Sequence, residues 1–110
     1  MDDVFCKIVA GEIPSEYRLL ETEALIVIKD IAPKAPVHYL VIPKKHIATI
    51  DEATQEDVTL LGAMVLAGQE VAQKSGVAGA YKLFFNVGER GGQKVPHIHL
   101  HVLGGGKMEE

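Results

Sequence analysis

His97-Ile98-His99-Leu100-His101-Val102-Leu103 alternates histidine with aliphatic residues at a period of two. Successive side chains of a β-strand point to opposite faces, so this run predicts one face of imidazoles and another of Ile98, Leu100 and Val102. At about 3.3 Å per residue, neighbouring imidazoles on that face stand about 6.6 Å apart along the strand, near enough to share one small ligand. Two chemistries suit three imidazoles so placed. Neutral imidazole is a good zinc ligand, and two histidines on one strand face supply two bonds. Zinc there wants a further acidic residue, Cys or distant His, and no Asp or Glu lies between Glu89 and Glu109. Nucleophilic catalysis uses all three, since one imidazole attacks an electrophile while its neighbours fix its tautomer, donate protons and stabilise developing negative charge.

The segments around this strand give its setting. Gly88-Glu-Arg-Gly-Gly-Gln93 is a glycine-rich loop between two alternating stretches, Ala80 to Val87 and Val95 to Leu103, both read as strands. Upstream, Thr54 with Asp57 three residues later is a helix-capping pattern, and Val58, Leu61, Met64, Val65 and Ala72 recur at helical spacing until Gly76 stops the helix. Gly62 and Gly68 lie inside that helix at about 1 kcal/mol each against alanine, so each is either a point of close packing or a weakness. Val37 to Ile42, ended by Pro43, forms a further strand behind the proline-marked loop Ile31-Ala-Pro-Lys-Ala-Pro36. Glu16 to Glu21 and Ala24 to Lys29 resemble a hairpin, and residues 4 to 10 a short helix closed by Gly11, with Pro14 beyond it. Five strands and an inserted helix predict an α+β architecture in a single domain spanning residues 1–110.

Composition bounds the function classes. With 110 residues, 47% hydrophobic and 24% charged, the chain has enough apolar material for one core and lacks the balance of a disordered protein. A net charge of −4 argues against a protein that holds nucleic acid by neutralising many phosphates, while leaving room for a single small phosphate. No apolar run reaches the roughly 18 residues needed to span a membrane, and Asp2-Asp3 is not the positive flank of a signal peptide. Cys6 is the lone cysteine, set in the apolar context Val4-Phe5-Cys6-Lys7-Ile8, which reads as a small core residue in a reducing, cytoplasmic setting.

The run His97-Ile-His99-Leu-His101-Val-Leu103-Gly-Gly105 resembles the signature of the histidine triad (HIT) superfamily. Further blocks in order and spacing are similar to its Hint branch, the histidine triad nucleotide-binding proteins. These are Asp30-Ile-Ala-Pro-Lys-Ala-Pro-Val-His38, Leu40-Val-Ile-Pro-Lys-Lys-His46-Ile, Asn86, and Gly91-Gly92-Gln93. The resemblance covers nearly the whole chain. It implies a five-stranded antiparallel sheet with one long helix and a short N-terminal helix, continued across a homodimer. It also implies cleavage of purine nucleoside 5′-phosphoramidates to AMP or GMP plus amine, without cofactor or metal, through a nucleotidylated histidine.

By that similarity His99 is the nucleophile, His97 and His101 flank it, and one of them serves the non-bridging phosphate oxygens. His38 matches a fourth histidine expected to pair with the first of the triad, His97. Asp30 and Ile31 match a ribose-binding pair, Asn86 a contact on the phosphate side, and Gly91, Gly92 and Gln93 a loop whose backbone N–H groups face phosphate. Lys44-Lys45 would steer anions or simply be solvated, and His46 reads as a surface residue. Two features depart from the branch: Lys94 and Pro96 replace residues that are more often serine and tyrosine or another bulky side chain, and Gly104-Gly-Gly-Lys-Met-Glu-Glu110 lacks a Trp-Pro-Pro-Gly tail. Lys94 would then face the leaving group. Dinucleoside polyphosphate hydrolysis and a nucleotide-binding interaction module with vestigial activity are the competing readings. The expected chemistry also puts at least one imidazolium in the site at neutral pH.

Overall fold

An unbroken aliphatic run needs cover on two sides, and Leu25-Ile26-Val27-Ile28 has it. The computed structural model, which describes residues 3–12 and 18–106, places this run in the second strand of a five-stranded sheet. The strands are β1 (Arg18–Glu21), β2 (Leu25–Lys29), β3 (Val37–Pro43), β4 (Tyr81–Phe84) and β5 (Leu100–Gly104), in the order β1-β2-β3-β5-β4 with every pairing antiparallel. Helix α1 (Val4–Val9) covers one face and α2 (Val58–Lys74) the other. On the α2 side Leu25, Val27, Val41, Leu100 and Val102 pack with Met64, Ala67, Val71 and Ala72. On the α1 side Ile26, Ile28, Leu40 and Ile42 pack with Phe5 and Ile8. The predicted α+β class and its element order hold; residues 16 and 17 of the first expected strand, and Pro14, lie outside the described residues.

Two strands are shorter than their alternation suggested. β4 ends at Phe84, and β5 begins only at Leu100. Before Leu100 the backbone bonds elsewhere: the His97 amide donates to the Val95 carbonyl (2.8 Å) and the Ile98 amide to that of Ile47 (2.8 Å). Pro96 has no N–H to offer a ladder. The helix glycines divide between the two explanations. A Cβ on Gly68 would lie 3.1 Å from Leu83 Cδ2 and 3.3 Å from Val102 Cγ2, so its lack of a side chain lets α2 sit close on β4 and β5, whereas a Cβ on Gly62 meets nothing within 4 Å.

The start of α2 is fixed as the capping pattern predicts. The Thr54 amide donates to Asp57 Oδ2 (2.9 Å) and the Glu56 amide to Thr54 Oγ1 (3.2 Å), over a 3-10 turn at Gln55–Asp57. Lys45 Nζ donates to the buried Asp57 Oδ1 (2.6 Å), and Lys44 Nζ to Glu21 Oε2 (2.8 Å), so this lysine pair is engaged with carboxylates. The Lys45 bond holds the Asp57 carboxyl below its usual range. Asp57→Ala removes the cap and leaves the largely exposed Lys45 ammonium to water, and is expected to lower unfolding free energy by about 1 kcal/mol in urea titration.

Candidate active site

β3 turns His38 and Leu40 toward the α1 side of the sheet, and antiparallel pairing sets His101 of β5 opposite Leu40 and Phe84 of β4 opposite His101. A cavity of about 590 Å³ opens on this face. Phe5 and Ile8 of α1 wall one side, Ile28 and Leu40 form an apolar floor, and Asp30, His38, Asn86, Lys94, His99 and His101 contribute its polar groups. The Phe84 ring stacks on His101 at 4.6 Å and 6°, and Phe5 meets His99 edge-on at 5.0 Å. Phe5 was not evident as a site residue; its only trace in the sequence is the apolar i, i+3 pair it makes with Ile8.

The hydrogen bonds fix where the protons sit. A carbonyl only accepts, so the 2.8 Å contact between His99 Nδ1 and the His97 carbonyl puts the proton on Nδ1 and leaves a lone pair on Nε2 of neutral His99. The Lys34 amide donates to His38 Nδ1 (3.0 Å), so neutral His38 carries its proton on Nε2, which faces His101 Nδ1 (3.0 Å) and Asp30 Oδ2 (3.2 Å). His101 Nδ1 then accepts, and its proton lies on Nε2, a buried atom with no hydrogen-bond partner among the described residues. The site thus pairs a lone pair on His99 with an uncommitted N–H on His101.

These tautomers require neutral rings, and burial supplies the reason. It pushes His38 down despite Asp30, pushes His99 down despite the His97 carbonyl bond, and with the help of His99 and His38 brings His101 to about 4. Burial thus favours the neutral form of all three cavity imidazoles.

Three further expectations are corrected. His97 does not line the cavity: its ring is fully buried, donates from Nε2 to the Pro43 carbonyl (2.8 Å), and serves the site only through its own carbonyl. The alternation of faces itself holds, since the His97 ring meets Phe5 of α1 (6.0 Å) while Ile98 packs in the α2-side core, but His97 lies outside the cavity lining. His38 accordingly pairs with the third histidine of the run, His101, and not with His97. The amides of Gly91, Gly92 and Gln93 do not face a phosphate, because they donate to the carbonyls of Gly88, Glu89 and Gly88 (3.0 Å each). The Gln93 side chain is buried and engaged too, accepting from the Gly88 amide (2.8 Å) and donating to the carbonyls of Ala48 (2.6 Å) and Val95 (2.9 Å).

Other candidates do converge. Asp30 Oδ1 accepts from the Ala32 amide (2.9 Å), which fixes the carboxylate beside His38, and Ile31, 86% exposed, stands at the cavity rim. Gly92, at φ +93°, lies beside the Asn86 amide group. Gly92 and Lys94 line both this cavity and a neighbouring one of about 530 Å³.

A histidine run entering the middle of an antiparallel sheet, with its second and third imidazoles in a cavity beside a fourth histidine, defines a histidine triad domain. Comparison with known proteins agrees. The family model described as scavenger mRNA decapping enzyme C-term binding matches residues 2–109. An uncharacterized HIT-like protein of Synechococcus elongatus is 43% identical over 104 residues, covering 94% of this chain and 90% of that one. Among solved structures, a HIT family hydrolase from Legionella pneumophila superposes with a TM-score of 0.95 at 45% identity, over 98% of this chain and 96% of that one. A HIT family hydrolase from Clostridium thermocellum does so with a TM-score of 0.93 at 44% identity, over 99% and 95%. The chain belongs to the histidine triad superfamily.

Proposed function

We propose that this protein is a nucleotide-binding hydrolase that cleaves purine nucleoside 5′-phosphoramidates to the nucleoside monophosphate and an amine. The observation that carries the reading is the pairing of His99 Nε2, free to attack, with the uncommitted His101 N–H. In the first step the His99 lone pair forms an N–P bond, the P–N bond to the amine breaks, and the amine leaves with a proton taken up from solvent. Water then attacks phosphorus, releasing the monophosphate and restoring His99. The His97 carbonyl offsets the charge that His99 gains as it bonds to phosphorus, and His101 Nε2–H serves a non-bridging oxygen as its charge grows. Asp30 receives the ribose hydroxyls while the apolar floor and Ile31 take the base; a cavity of about 590 Å³ lies within the usual range for such ligands. Asn86 and Lys94 face the phosphate and leaving-group side. The relatives named as hydrolases support the same class.

One feature favours a second reading. Lys29, Lys34 and Lys94 line the cavity, and its neighbour across Gly92 and Lys94 offers room for the other half of a dinucleoside polyphosphate. Presenting an adenosine phosphoramidate and a dinucleoside polyphosphate separately decides between them: amine release with a transient acid-labile protein adduct is expected. Cleavage of the polyphosphate alone overturns the first reading, and nucleotide binding without turnover of either overturns both in favour of a binding module.

The same reading includes a homodimer in a reducing, cytoplasmic setting, the latter resting on the single cysteine. Val58, Val65 and Leu66 are 57, 44 and 62% exposed along α2, and β4 forms an edge of the sheet. Leu66→Glu is expected to convert the dimer to a monomer in light scattering; wild-type protein already monomeric at working concentration would remove the dimer.

A further inference from the structure

A donor aimed at a growing charge has to be held at the right tilt, because a hydrogen bond weakens steeply as its angle closes. The hydrogen bonds of His101 do not set that tilt. Its ring accepts at Nδ1 from His38 (3.0 Å), while the buried Nε2–H has no partner among the described residues. Tied to the backbone at Cβ and bonded at Nδ1, the imidazole is still free to swing about the line through those two atoms. Nε2 lies off that line and is carried with the swing.

Among the described residues three rings pack on His101, and one of them is parallel to it. His38 is tilted by 42° at 5.3 Å and His99 by 53° at 5.0 Å, whereas Phe84 lies at 4.6 Å and 6°. The strand register produces this contact. β4 and β5 set Phe84 directly opposite His101, where paired side chains on one face are close enough to touch. Lys82, two residues earlier on β4, places Nζ 5.6 Å from the centroid of the Phe84 ring, so that ring is itself engaged. His38 and His99 are turned out of the His101 plane and are committed by their own bonds, to the Lys34 amide and the His97 carbonyl.

We propose that Phe84 is a positioning residue for catalysis, its ring fixing the plane of His101 and with it the direction of the Nε2–H donor. This rests on the reading above, in which that N–H serves a non-bridging oxygen on phosphorus. Phe84 contributes at two moments. Before the reaction, the flat contact holds the imidazole at one tilt, so the donor has no reorganisation left to make. During it, His101 gains positive character as the oxygen draws on its proton, and the electron-rich face of Phe84, parallel to the imidazole, offsets that charge. Both effects grow toward the transition state, so they belong to kcat rather than KM.

The test is a set of variants assayed on whichever of an adenosine phosphoramidate and a dinucleoside polyphosphate the wild-type protein cleaves. Phe84→Leu is expected to lower kcat by about 10-fold with KM changed by less than about 2-fold, the mark of a misdirected donor rather than a missing one. Phe84→Tyr keeps the flat ring and is expected to recover most of the wild-type kcat. In a His101→Ala background Phe84→Leu costs nothing more, because the group it orients is gone. Far-UV circular dichroism and Tm check the fold of each variant. The NMR proton–nitrogen signal of His101 Nε2–H reads the ring without turnover: sharp in wild type and Phe84→Tyr, broadened or split in Phe84→Leu. An equal loss of kcat with and without His101, a loss confined to KM, or a Phe84→Leu signal as sharp as wild type overturns the positioning role. A wild-type protein that cleaves neither substrate overturns the reading of the site instead, and the NMR comparison then decides whether Phe84 holds the ring.

Discussion

His99→Ala is expected to reduce kcat/KM toward an adenosine 5′-phosphoramidate by at least about 1,000-fold and to abolish the acid-labile adduct. No neighbour can substitute. His97 presents its ring to Pro43 and Asp3, and the His101 Nδ1 lone pair is occupied by His38. The stability effect is small by comparison: the variant loses one hydrogen bond to the His97 carbonyl, of order 1 kcal/mol, and its edge-on contact with Phe5. Far-UV circular dichroism and Tm measured beside the kinetics separate a missing nucleophile from a damaged fold. A variant that keeps more than a tenth of wild-type turnover with Tm unchanged removes covalent catalysis at this residue. His101→Ala tests the donor role separately. It is expected to cost about 100-fold in kcat, the usual loss for one donor aimed at a growing oxyanion.

Acid should destabilise the protein well above the range in which carboxylates titrate. In the unfolded chain His38 and His101 bind protons near pH 6.5, whereas in the folded protein burial lowers both, His101 to about 4. Between those values the unfolded state holds more protons than the folded one, so stability is full above about pH 6.5 and falls as pH drops toward 4. Asp57 adds a second decline at lower pH, because its lowered folded value means stability present above about 3.8 and lost on further acidification. Urea midpoints at pH 7.5, 6, 5 and 4 measure the slope. A steady fall beginning below pH 6.5 is expected, flattened in part by His101→Asn, and a level profile from pH 7 to 5 contradicts neutral burial of these rings.

What the sequence made legible follows the range of the interactions involved. The alternation of His99, Leu100, His101 and Val102 is a local property, and it correctly separates cavity from α2-side core. Thr54 and Asp57 form their cap within four residues and were readable for the same reason. The same alternation puts the His97 ring on the α1 side against Phe5 and Ile98 in the α2-side core, but it does not show that the cavity ends short of His97, whose ring is taken up by Pro43 and Asp3. The Gly91-Gly92-Gln93 amides look available in sequence, but a 3-10 turn at Glu89–Gly91 consumes them. His46 read as a surface residue because its partner, Asp3, is 43 positions away and only the fold brings them together.

The bond between His97 and Asp3 joins residues 94 positions apart. This has a kinetic consequence. β4 pairs only with β5, and β5 also supplies the central link to β3, so the sheet remains in two pieces until the last strand inserts. Closing loops of that length costs entropy before any contact repays it, which places the event late in folding. Helix α1 can pack on β2 and β3 earlier, but the cavity it walls is complete only when β4 and β5 have joined the sheet. The site is assembled from segments far apart in sequence, and its formation reports that the sheet has closed.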